Sequence, residues 1–139
     1  LTLRTSVIGP ELKTDGEELF HWFMDQSGSI NGYTGAIWSG VTTIQLAKAV
    51  HWAIQNRIIG LYHITNNDVI NKYDLLCLLK KHFKKEIEIK PVIGKSINKS
   101  FIDTRQEIYY KIPSYEEMVI EMKEWMVLHK NLYRQYKVL

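Results

Sequence analysis

A single cysteine, Cys77, stands in the 139-residue chain, and it sits among leucines. That excludes an internal disulfide framework and suits a reducing, cytoplasmic setting. No apolar run approaches the roughly 20 residues that span a bilayer, no signal peptide opens the chain, and no membrane partner is expected. The formal net charge of +3 is too small and too dispersed to argue for nucleic acid. Lys80, Lys81, Lys84 and Lys85 do cluster, but at one helix end, where a solvated face also suits the helix dipole.

Catalytic signatures are scarce as well. His21, His51, His63, His82 and His129 show no i, i+4 pairing, no HExxH and no Cys-His spacing, so no metal site is expected. There is no GxSxG elbow, no GxGxxG turn and no phosphate loop ending in Lys-Ser/Thr. Internal repeats and low-complexity tracts are absent too. The aromatics interleave with aliphatic rather than basic residues, which fits core packing better than base stacking. These residues alone hold no complete catalytic constellation.

What remains is ordinary globular material: 45% hydrophobic and 24% charged residues, enough for one domain or a piece of one. Its most distinctive stretch is residues 31–54, NGYTGAIWSGVTTIQLAKAVHWAI. Gly32, Gly35 and Gly40 surround Tyr33 and Trp38, and Val41-Thr42-Thr43 leads into a helix. Glycines let backbone approach a ligand closely, and the aromatics offer flat faces. The stretch reads either as a binding loop on a rigid support or as a tight connection with its aromatics in the core.

In chain order, residues 1–8 read as one strand closed by Gly9-Pro10. Thr14-Asp15-Gly16-Glu17 reads as a capping box for an apolar helix through Leu19, Phe20, Trp22, Phe23 and Met24. Thr42 or Thr43 caps a second helix, with Ala47, Val50 and Ile54 on one face. Residues 58–65 suit a buried strand, and Asn71 with Asp74 starts a third helix. Residues 86–90 alternate as a half-solvated strand ending at Pro91, followed by a loop over 94–99. Ser114 caps the last helix, which carries Met118, Met122, Trp125 and Met126 on one side. Strands separated by helices indicate an α/β architecture, with the strands at 1–8 and 58–65 parallel.

Two polar clusters stand out. Asn98, Lys99, Ser100, Asp103, Thr104 and Arg105 combine cations with amides and hydroxyls, which suits a phosphate or a sugar, or simply an exposed loop. Arg4-Thr5-Ser6 ends the first strand, where open α/β sheets gather ligands, although a cap or turn uses the same hydroxyls.

Four stretches, LTLRTSVIGP (1–10), WSGVTTIQLAKAV (38–50), GLYHITNNDVINKYDLL (60–76) and NKSFIDTRQEIYYKIPSYEEM (98–118), resemble in order and spacing the C-terminal part of an extended short-chain dehydrogenase/reductase. Within that superfamily the chain is most similar to the dTDP-4-dehydrorhamnose reductase group. The resemblance implies the C-terminal portion of a Rossmann-like NAD(P)-binding fold with its smaller substrate-binding lobe. A start at Leu1 inside a strand fits a single truncated unit that lacks the N-terminal cofactor-binding half. The implied activity is NAD(P)-dependent reduction of a nucleotide-linked 4-keto-6-deoxy sugar for polysaccharide precursor synthesis, with NAD or NADP as cofactor. Sugar-nucleotide epimerisation or dehydration, or a non-catalytic sugar-nucleotide-binding subunit, are the alternatives. Thr5, Ser6 and Val7 would lie near the nicotinamide. Trp38 and Val41 would pack against the nucleotide-linked sugar, and Asn98, Lys99, Ser100 and Arg105 would make polar contacts to it. The expected partner is the missing N-terminal half or another copy of the chain, and the fragment alone is expected to be inactive.

The chain departs from the group's pattern. Ser96-Ile97 replaces the Arg-Pro that precedes the matching serine, Ser100, and Gln45 stands where many members carry aspartate. The glycine-rich fingerprint is missing. Tyr133 and Lys137 have the spacing of the family's Tyr-x-x-x-Lys pair, but they follow every other landmark and read as a tail helix.

Overall fold

The computed structural model describes residues 1–105 and 110–137. Residues 106–109, inside the last of the four resembling stretches, lie outside this description.

The first strand is two strands. β1 (Thr2–Arg4) runs parallel to β6 (Leu61–His63), as expected, with Leu3 opposite Tyr62. β2 (Val7–Ile8) instead runs parallel to β5 (Val41–Thr42). The break falls at Thr5-Ser6. The Thr5 hydroxyl donates to the Ile64 carbonyl at 2.8 Å, while the Ser6 carbonyl accepts from Val41 N–H at 2.9 Å. Consecutive residues thus bond to different strands, and the chain passes from one sheet to another.

α1 (Leu19–Asp25) begins later than the Thr14 capping box requires. Thr14 and Asp15 lie in a turn, and the Glu11 carboxylate reaches forward to accept from Glu18 N–H at 2.8 Å. A side chain seven residues upstream satisfies a donor that a local cap would have taken.

The glycine-aromatic stretch is not a loop. It contains β3 (Ser29–Tyr33) and β4 (Ala36–Trp38). β3 runs parallel to β8 (Glu88–Val92), and β4 lies between β7 (Ile70–Asn71, antiparallel) and β9 (Ile97–Lys99, parallel). Gly32 explains part of the misreading. A Cβ there would sit 2.7 Å from the Tyr73 ring and 2.9 Å from Ile89, so the glycine lets β3 lie close against the next layer. β8 continues through Pro91 rather than stopping at it. Its only strand partner among the described residues is β3, and an edge strand tolerates a missing N–H. β9 likewise occupies part of the expected 94–99 loop.

α2 (Thr43–Gln55) is capped by Thr42, whose hydroxyl accepts from Gln45 N–H. Its buried positions are Gln45, Ala49 and Ala53, while the Ala47, Val50 and Ile54 stripe faces outward and Ile54 is 68% exposed. The inward face can be small and polar because Gln45 donates to Glu121, so α2 joins its neighbour through a hydrogen bond as well as through apolar contact.

α3 (Lys72–Phe83) starts at Asn71 as expected, with the Asn71 side chain accepting from Asp74 N–H at 2.8 Å. Leu75, Leu76, Leu79 and Phe83 form its buried face. α4 (Tyr115–Leu128) carries the expected capping box between Ser114 and Glu117. Tyr115, Met118, Val119, Met122 and Met126 are buried, whereas Trp125 is 38% exposed and stacks on His129 with centroids 3.9 Å apart. Ser114→Ala removes both halves of the box and should destabilise the fold by about 1 kcal/mol in urea unfolding.

The expected tail helix is a 3₁₀ turn (Lys130–Leu132) followed by bends. Tyr133 and Tyr136 turn inward instead of lining a helix face. The Tyr133 hydroxyl accepts from the Trp125 indole at 3.3 Å, and the Tyr136 hydroxyl lies 2.8 Å from His21 Nδ1. Tyr133 is buried and lies outside any helix of the described residues.

One contiguous core runs from Ile8 through Phe20, Leu76 and Met122 to Tyr136. No helix among the described residues is long and apolar enough to cross a membrane.

Candidate functional site

Where β2, β4 and β9 meet the starts of α1 and α3, they leave a cleft of about 290 Å³. Its walls are mostly apolar: Val7, Leu19, Ile37, Trp38, Leu75 and Ile97. Glu18, Lys72 and Lys99 supply the charge.

Each wall has a structural cause. Val7 lies opposite fully buried Val41 in the β2–β5 register, so the strand that presents Val7 is paired edge-on to a core strand. Trp38 is opposite Lys99 in the β4–β9 register, and its ring lies 5.9 Å from that of Tyr115 at a tilt of 44°. Tyr115 is pinned by donating to the Asp68 carbonyl at 2.7 Å, and burial pushes its hydroxyl up to about 12, so it stays a neutral prop. An indole held this way presents a preset flat wall to a ligand.

The candidate residues separate. Val7, Trp38 and Lys99 come together in the cleft, while buried Val41 lies beside Val7 on the next strand and is not among the lining residues. The hydroxyl of Thr5 and the carbonyl of Ser6 are spent on the backbone of neighbouring strands. Asn98 and Ser100 bond to each other, the Asn98 side-chain oxygen Oδ1 accepting from Ser100 N–H at 2.9 Å and from its hydroxyl at 2.6 Å. Arg105 is elsewhere: its guanidinium lies 3.9 Å over the Tyr62 ring, beside Gly60 at the start of β6.

Lys72 and Glu18 escaped the sequence reading. Lys72 is the first residue of α3, half-buried, with Nζ 4.9 Å from the Trp22 ring and 5.7 Å from the Tyr33 ring. Burial holds its ammonium below the usual lysine range. A signal was present in the sequence: a lysine directly after a strong N-cap asparagine opposes the helix dipole.

No family model matches this chain, and no curated protein matches it. Solved structures do. The dTDP-4-dehydrorhamnose reductase of Bacillus anthracis, determined with NADP, superposes with a TM-score of 0.70 at 17% identity, over 86% of this chain and 46% of its own. The Clostridium acetobutylicum dTDP-4-dehydrorhamnose reductase gives 0.68 at 14% identity, over 90% and 48%. The chain has the fold of these reductases over nearly half their length. A UDP-N-acetylglucosamine 4-epimerase from Bacillus cereus matches as well, with a TM-score of 0.68 at 17% identity, over 90% of this chain and 47% of its own. The reductase fold therefore confirms the expected α/β class and its Rossmann-type relation, and it is shared by enzymes of differing chemistry.

Proposed function

We propose that the intact protein is an NAD(P)-dependent reductase of a nucleotide-linked 4-keto-6-deoxy sugar, acting in the cytoplasm in polysaccharide precursor synthesis. The observation that carries this is the meeting of Val7, one of the three candidates for the nicotinamide side, with Trp38 and Lys99, candidates for the sugar nucleotide, in one cleft of reductase-fold geometry.

The residues fit a cofactor edge rather than a whole cofactor site. Val7 and Ile8 offer an apolar surface suited to one face of a flat ring, but the glycine-rich turn that holds a dinucleotide is not in this chain. When bound, the reduced cofactor supplies the hydride that converts the C4 carbonyl to an alcohol. This chain holds the substrate: Trp38 packs against it, Val41 keeps the wall rigid, and Lys99 with Asn98 and Ser100 offers polar contacts. Gripping remote parts of the substrate in this way positions the reacting carbon. Arg105 contributes from outside the cleft, where its guanidinium lies over Tyr62. The proton comes from a Tyr-Lys pair in a separate N-terminal half. The outer edge of β1, which pairs only with β6 among the described residues, and the outward stripe on α2 suit that half or a second copy as partner.

The test is turnover of dTDP-4-dehydrorhamnose by the intact gene product. A reductase consumes one NAD(P)H per sugar reduced, and Trp38→Ala lowers kcat/KM at least about tenfold. Sugar interconversion without net consumption of NAD(P)H would assign the epimerase reading, with which the fit of the Bacillus cereus fold is equally compatible. The 139-residue chain alone should show no hydride transfer, and turnover by it would overturn the proposal.

A further inference from the structure

Beyond β9 the chain leaves the cleft wall without entering another sheet. From Phe101 to Arg105 it makes no backbone-to-backbone hydrogen bond among the described residues, and none of its side chains belongs to the buried core. Side chains hold its backbone instead. Ser39, fully buried directly after β4, grips both polar groups of Phe101. Its hydroxyl accepts from Phe101 N–H at 2.9 Å and donates to the Phe101 carbonyl at 3.1 Å. Asn67 does the same two residues on, its Oδ1 accepting from Asp103 N–H at 2.7 Å and its Nδ2 donating to the Asp103 carbonyl at 3.2 Å. Between them the Ile102 carbonyl lies 2.9 Å from His63 Nδ1, and since a carbonyl only accepts, that nitrogen carries the proton. Alternate residues of an extended segment are thus paired as a neighbouring strand would pair them, but by side chains from separate parts of the fold.

Such a fastening differs from a strand in how it can fail. Each bond contributes little net stability, while ordering five residues costs backbone entropy. Ile102 is 57% exposed and no core side chain has to be withdrawn, so the segment can part from the body without unfolding it. Asn67 bears a further cost. Its φ of +61° is a conformation that few non-glycine residues adopt, kept where the surrounding structure requires it. A glycine would relieve that strain but could not hold Asp103. Both grips bear on the cleft: Ser39 follows Trp38, and Phe101 stands two residues beyond Lys99, the partner of Trp38 in the β4–β9 register.

We propose that Ser39 and Asn67 are positioning residues of the cleft. They hold residues 101–105 as a strap that opens and closes as a unit, and through it they fix Lys99 at the rim. The proposal rests on the reading of the cleft as the ligand site, and it adds how that site is ordered.

Amide hydrogen exchange read by NMR, with thymidine diphosphate as the probe ligand, tests this on the 139-residue chain. Asn67→Gly should speed exchange about tenfold or more at Asp103 and also at Phe101, where Ser39 is intact, and leave the amides of Leu76 and Leu79 unchanged. Its Tm should stay level or rise, because glycine suits the left-handed backbone. A merely structural asparagine would lower the Tm and speed all these amides together, which would overturn the proposal. The amide signals of Lys99 and Trp38 should shift, and thymidine diphosphate should bind about threefold or more weakly as the competent fraction falls. Bound to the parent chain, it should in turn slow exchange at Phe101 and Asp103, the reciprocal of the same coupling. Ser39→Ala should act in the same direction. Arg57→Gly relieves a φ of +52° outside the strap and should change neither strap exchange nor binding. An equal effect there would overturn the assignment, as would undiminished affinity in Asn67→Gly. If the parent chain binds no thymidine diphosphate, the sugar-nucleotide reading falls, and the exchange rates with the Lys99 and Trp38 shifts decide the strap by themselves.

Discussion

Leu76→Ala is expected to cost about 2–5 kcal/mol, the range for deleting a fully buried leucine side chain beyond Cβ. Leu76 is completely inaccessible and lies on the face of α3 that also carries Leu75, Leu79 and Phe83. Phe20 meets Phe83 edge-on at 5.1 Å and Tyr136 at 5.3 Å, which commits the neighbouring rings to one arrangement. Leu76 belongs to the same buried cluster as these rings, so a cavity there has little freedom to close and the cost should lie in the upper half of that range. Domains of this size are stable by about 5–15 kcal/mol, so the variant should lose a large share of its folded population margin. Urea unfolding measures the effect as a fall in midpoint at unchanged slope. Leu128→Ala is the matched control, since Leu128 is 79% exposed and its truncation should change stability by less than about 0.5 kcal/mol.

Gly40→Ala should be the most damaging single-methyl addition at the cleft, destabilising the fold by about 1–3 kcal/mol. A Cβ at Gly40 would overlap the Ser6 carbonyl oxygen and the Trp38 ring. The Ser6 carbonyl is backbone and accepts the Val41 N–H that joins β2 to β5, so it cannot simply swing away. The ring would have to leave its place beside Tyr115. Either adjustment reshapes the wall formed by Val7 and Trp38, so binding of thymidine diphosphate should fall together with stability. Gly28→Ala separates sterics from backbone strain. Its φ of +70° makes alanine unfavourable by about 1 kcal/mol, but no atom lies within 4 Å of the added methyl, and the cleft should be untouched. Equal ligand binding by Gly40→Ala and the parent chain would mean that the Ser6–Gly40–Trp38 contact does not shape the site.

The contrast between these glycines shows what the chain disclosed and what it withheld. Caps at Thr42, Asn71 and Ser114 were legible because their side chains bond to backbone three residues away, a relation written in the sequence. The parallel pairing of residues 2–4 with 61–63 was legible from alternating strands and helices. Gly32 and Gly40 were misread because a glycine at a turn and one under a neighbouring ring look alike until the neighbour is known. α2 was misread for a related reason: Ala47, Val50 and Ile54 satisfy apolar periodicity, but Gln45 has its partner on α4, far along the chain, and turns the helix over. Val7, Trp38 and Lys99, named as candidates from the sequence, line one cleft. Lys72 lines it too but was not named, because the rings beside it, Trp22 and Tyr33, lie far from it in the chain. Arg105 was grouped with Lys99 by proximity in sequence, yet a short excursion takes it to Tyr62.

The junction of Tyr136 with His21 has a consequence for how the molecule is made. Tyr136 covers Phe20, bonds His21 and accepts from Glu11 N–H at 3.0 Å, while Gln135 donates to the Glu11 carbonyl at 2.6 Å. These contacts join residues more than a hundred positions apart. During synthesis α1 emerges more than a hundred residues ahead of residues 133–136, and the side of Phe20 that Tyr136 covers stays open until they follow. Contacts of such separation form slowly, and exposed Phe20 and Phe23 are the kind of surface that chaperones hold in the meantime. The nascent chain should thus remain protease-sensitive at α1 until residues 133–136 emerge, and shield it in one step afterwards.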